Sequence, residues 1–112
     1  MIQAVAASST RMPPHAIVLT TIVTRIDWLV TASATIEPAL LARIVERGVI
    51  DQITAMQPEL PARAAKLARD AVWELTPAAS LGDTLDEDDR DMAVQGLDDA
   101  RGLLRRALEW LR

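Results

Sequence analysis

The chain has 112 residues, of which 50% are hydrophobic and 25% are charged, so it suits one folded domain and is too apolar for a disordered protein. It has no cysteine, which excludes a disulfide framework and any zinc or iron–sulfur site built on cysteine. The formal net charge of −4 argues against binding to nucleic acid, because phosphate contacts normally need a clustered positive surface.

The composition also indicates the source and the compartment. Lys66 is the only lysine beside many arginines, and Asn, Phe and Tyr are absent, a pattern typical of GC-rich genomes. Residues 1–7 lack the basic start of a signal peptide, and Arg11 and the prolines after it interrupt any longer apolar run. We therefore expect a bacterial, cytoplasmic protein.

A proline pair, Pro13 and Pro14, divides the chain into a flexible arm over 1–14 and a single helical domain over 15–112. The apolar spacing predicts a first helix over 15–33, with Ile17 and Trp28 roughly opposite its main apolar face.

The same helix approaches the length of a membrane span. Arg25 and Asp27 lie near its middle, however, and each would oppose insertion by about 3 kcal/mol. We therefore expect a buried helix of a soluble bundle and no membrane contact.

Two helices should follow, over 36–56 and 60–75. The apolar side of the second helix swings after Gly48, which predicts a bend or a break there. The third helix should stop near Leu75 because Pro77 follows. Its apolar stripe is rich in alanine, so a neighbouring helix could approach closely.

The last helix, over 85–111, has the clearest signals. Thr84 and Glu87 have the spacing of a capping box, and acidic residues at the start with arginines at the end suit the helix dipole. Asp98 with Arg101, and Arg105 with Glu109, have the spacing of pairs within one helix. One apolar stripe runs along the helix: Ala93, Leu97, Ala100, Leu104, Ala107, Leu108 and Leu111.

Together these elements predict an all-α fold, a small antiparallel bundle of four main helices joined by short connections. No internal repeat or low-complexity segment interrupts that organisation.

The acidic run 86–91 is the only feature that suggests a metal, with Asp86, Asp88 and Asp91 as weak candidate ligands. An EF-hand loop starting at Asp86 fails, because its fifth, sixth and twelfth positions hold Arg90, Asp91 and Leu97. A solvated helix start explains the run more simply. We expect no metal and no cofactor.

No catalytic residue can be named. His15 is the only histidine and has no serine or cysteine partner at a recognisable spacing, and the glycines are isolated. Residues 42–67 could form a helix-turn-helix, but Asp51, Gln52, Met56 and Glu59 offer few donors to phosphates or bases.

The nearest functional signal is a set of large apolar residues outside the main stripes. They are Trp28, Trp73, Trp110 and Ile17, and tryptophan is enriched at the energetic centres of interfaces. Each helix packing on two neighbours would give the same pattern.

The sequence therefore favours a small non-enzymatic protein–protein interaction module, an adaptor, regulator or inhibitor, which acts through apolar helix faces and self-associates as a dimer. The alternatives are a small metal-assisted enzyme that uses Asp86, Asp88, Asp89 and Asp91, and a weak nucleic-acid-binding regulator.

Overall fold

The computed structural model describes residues 14–81 and 86–111, and within them all regular structure is helical. Helix α1 is Pro14–Ala32, α3 is Ala62–Ala79 and α4 is Glu87–Glu109. Helix α2 comprises Pro38–Val45, a π-helical turn Glu46–Ile50 and Asp51–Met56, and a 3₁₀ turn, Gln57–Glu59, follows it. The predicted all-α fold with four main helices is confirmed.

Helix α4 packs between α1 and α3, which both run antiparallel to it, and α2 packs mainly against α3. Arg90 near its start contacts the end of α1, while Arg101 further along contacts Asp27. On the other side, Arg63 at the start of α3 lies over Trp110, just after the end of α4. The predicted stripe is buried along most of its length: Ala93, Leu97, Ala100, Leu104, Ala107 and Leu108.

The predicted close approach of the alanine-rich helix is confirmed at the α3–α4 contact. Four alanines of α3 are fully buried: Ala64, Ala68, Ala71 and Ala78. Opposite them, a Cβ added to Gly96 would lie 2.2 Å from the backbone carbonyl oxygen of Glu74. The backbones are therefore so close that only glycine fits at this position of α4.

The predicted irregularity at Gly48 takes the form of a π-helical turn. Leu41, Val45, Val49 and Ile53 are all buried, at a constant spacing of four residues. An α-helix would rotate that series away from the core by roughly 40° at each step, since it has about 3.6 residues per turn. The wider π turn keeps the series facing the core.

The predicted end of the third helix is wrong, because α3 continues through Pro77 to Ala79. Pro77 cannot donate a backbone hydrogen bond to Trp73, but it lies in the last turn, where few further bonds depend on it. Ala78 and Leu81 are buried beyond it, and the Ser80 N–H donates to the Thr76 carbonyl at 3.0 Å. The burial of Ala78 and Leu81 and the hydrogen bond of Ser80 offset the backbone hydrogen bond that Pro77 cannot make.

The start of the last helix also differs from the prediction. Helix α4 begins at Glu87, and Asp86 is its N-cap, with a side chain that accepts a hydrogen bond from the Asp88 N–H at 2.9 Å. Thr84, the predicted cap, lies outside the described residues. Of the predicted flexible arm, residues 1–13 also lie outside them, whereas Pro14 is the first residue of α1.

Arg90 ties the turn between α1 and α2 to the start of α4. One of its nitrogens, Nη2, donates to the Ser33 carbonyl at 3.1 Å and to the Ile36 carbonyl at 3.0 Å. Because the side chain is half-buried, these bonds are partly shielded from water.

We expect Arg90→Gln to lower the free energy of unfolding by about 2 kcal/mol, since bonds from a charged donor contribute about 1.5–3 kcal/mol. Urea unfolding followed by circular dichroism measures the change. Arg69→Gln on the exposed surface of α3 is the control and should change stability by less than about 0.5 kcal/mol. Equal effects of the two substitutions would contradict the role of Arg90.

Candidate interaction surface

The structure leaves all four predicted interface residues exposed. The exposed fractions are 52% for Ile17, 55% for Trp28, 76% for Trp73 and 50% for Trp110. Ile17 and Trp28 are eleven residues apart on α1, which is close to three helical turns, so they share one face. Trp73 and Trp110 lie elsewhere, on α3 and just after the end of α4.

Helix α1 has a buried side and an outer side. The buried side consists of Ala16, Leu19, Ile22, Val23, Ile26 and Leu29. We call the exposed residues of the helix the α1 outer face: Pro14, Ile17, Val18, Thr20, Thr21, Thr24, Trp28 and Thr31. None of these residues carries a charge.

The threonine hydroxyls make the α1 outer face less polar than its composition suggests, because they donate hydrogen bonds within the helix. Each donates its hydroxyl to the carbonyl four residues earlier in the helix, at 2.7 Å from Thr20, 3.0 Å from Thr21 and Thr24, and 3.1 Å from Thr31. Because the hydroxyl hydrogens are used inside the helix, they are not offered to solvent or to a partner.

The two charged residues of α1 turn to the edges of this face and bind neighbouring helices. Nη1 of Arg25 donates to the Gly48 carbonyl in the π turn of α2. Oδ1 of Asp27 accepts from Nη1 of Arg101 at 2.7 Å, and Nη2 of Arg105 approaches it at 3.4 Å. Both charges therefore bind neighbouring helices at the edges of the outer face, where the Asp27 side chain remains 41% exposed.

Asp27 changes the pairing expected within α4. Arg101 does bind Asp98 as predicted, but it also binds Asp27, whereas Arg105 contacts Asp27. The hydrogen bond with Asp27 is the main cause that raises the pKa of Arg101. Since arginine is already charged at every pH where proteins fold, this increase does not change the charge of Arg101.

The other exposed tryptophans lie among charges. The Arg63 guanidinium stacks on the Trp110 ring, 4.4 Å from its centroid. Trp73 shares the exposed surface of α3 with Arg69 and with the ion pair between Lys66 and Asp70, whose N–O distance is 3.1 Å. Among the described helices, only α1 exposes a face without charge.

By length and composition α1 is also the one described helix apolar enough to cross a membrane, and 33% of the tested window is buried inside the bundle. A core helix of a soluble protein passes the same test. The bonds of Arg25 and Asp27 to α2 and α4 show that α1 is integrated into the bundle.

The acidic run provides the start of α4. Asp86 is the N-cap, Asp88 supplies the N–H that it binds, and Asp91 lines an open cleft of about 250 Å³ with Arg90 and Glu87. Within residues 14–81 and 86–111, no three His, Asp or Glu side chains come together as a group that could hold a metal. His15 is half-buried in the first turn of α1.

A shallow cleft of about 300 Å³ borders the α1 outer face where α1 meets α4. Its lining combines both helices: Thr20, Val23, Thr24, Arg105, Leu108 and Glu109. The cleft widens the surface that a docked partner could contact.

Comparisons with known proteins found no match, neither to a protein-family model nor to a curated protein or a solved structure.

Proposed function

We propose that this chain is a small cytoplasmic protein–protein interaction module, an adaptor, regulator or inhibitor without chemistry of its own, which docks through the α1 outer face. The observation that carries the proposal is an exposed helix face with Ile17, Val18 and Trp28 and no charge. Apolar patches on a folded domain commonly mark binding sites, and a tryptophan within one is a common energetic centre.

The hydrogen bonds at the edges of the α1 outer face hold that face rigid. Arg25 and Asp27 fasten α1 to α2 and α4, so the outer face is held in place before a partner arrives. A surface that is already ordered loses less conformational entropy on binding than a flexible segment does.

The charge pattern favours a protein over a lipid surface. Helices that lie on membranes usually flank their apolar face with lysine and arginine, which attract anionic headgroups. The only arginine of α1, Arg25, binds the Gly48 carbonyl, and the chain has a net charge of −4.

The alternative functions gain no specific support from the described residues. A metal-assisted enzyme would use Asp86, Asp88, Asp89 and Asp91, but Asp86 already accepts the capping hydrogen bond at the helix start. Titration calorimetry with Mg²⁺, Mn²⁺ and Ca²⁺ discriminates this alternative, because binding heat that is lost in Asp88→Asn would favour it. Salt-dependent retention on DNA would favour the nucleic-acid alternative.

The proposal is tested by photo-crosslinking in the native host. We expect benzoylphenylalanine in place of Thr24, on the α1 outer face, to give covalent protein adducts on irradiation. The same probe in place of Arg69, on the charged surface of α3, should give none. Trp28→Ala should also suppress the adducts formed at position 24.

Absence of adducts at both Thr21 and Thr24 would overturn the proposal. Adducts that form equally at Thr24 and Arg69 would do so as well, since they would report random collision rather than docking at α1.

A further inference from the structure

We draw no further inference here: the strongest candidate, the uncharged α1 outer face together with the cleft beside it where α1 meets α4, already carries the proposed function, and nothing in the structure shows what covers it.

Discussion

Replacing Gly96 by alanine should lower the free energy of unfolding by about 2 kcal/mol or more, although alanine favours helix by about 1 kcal/mol relative to glycine. The added Cβ would lie 2.2 Å from the Glu74 carbonyl oxygen, a backbone atom that cannot rotate away. Helices α3 and α4 would have to separate, which loosens the contact of the buried alanines along α3. Urea unfolding followed by circular dichroism measures the change.

Gly102 provides the matched control on the same helix. A Cβ added there meets no atom within 4 Å, so Gly102→Ala should gain up to about 1 kcal/mol from helix propensity alone. The two substitutions are chemically identical and should have opposite signs. If Gly96→Ala stabilised the protein as Gly102→Ala does, the close packing of α3 on α4 would be wrong.

This pair of glycines marks the limit of what periodicity can predict. The buried stripe of α4 and the alanine-rich side of α3 were predictable, because a helix repeats about every 3.6 residues and core positions follow that period. The roles of Gly96 and Gly102 were not predictable from their isolated positions. The difference between them depends on Glu74, a residue 22 positions earlier than Gly96, which only the packed fold brings close.

The helix ends show a similar limit. Thr84 and Asp86 are both good N-cap residues, so local sequence did not decide between them, and Asp86 is the cap of α4. At the end of α3, the proline rule predicted a stop that burial of Ala78 and Leu81 overrode. Local preferences for a helix cap or a helix end are readily outweighed by tertiary contacts.

At the candidate surface, the sequence predicted which large apolar residues lie off the main stripes, and all four are exposed. It did not separate Trp28 from Trp73 and Trp110. That distinction depends on where Arg25 and Asp27 find their partners, at Gly48 and at Arg101, far along the chain. The sequence did contain one signal for this distinction. At helical spacing, Arg25 and Asp27 lie on opposite edges of α1, on either side of the face that contains Ile17 and Trp28.

Two isoleucines of α1 allow the bundle and its outer face to be tested separately. Ile26 is fully buried, whereas Ile17 is 52% exposed, and both lie on the same helix. Ile26→Ala should lower the free energy of unfolding by about 2–5 kcal/mol through lost burial and the cavity that remains. Ile17→Ala should change stability by no more than about 0.5 kcal/mol, as exposed substitutions usually do. Urea unfolding measures both variants.

The same two variants should reverse their order in the photo-crosslinking experiment. Ile17→Ala removes an exposed apolar side chain from the α1 outer face, so it should reduce the photo-crosslinked adducts expected at position 24. Ile26→Ala, measured where it remains folded, should leave those adducts unchanged, because its side chain faces the core. Equal stability losses in the two variants would contradict the orientation of α1 in the bundle. Unchanged adducts in Ile17→Ala would instead contradict docking through the α1 outer face, with the fold intact.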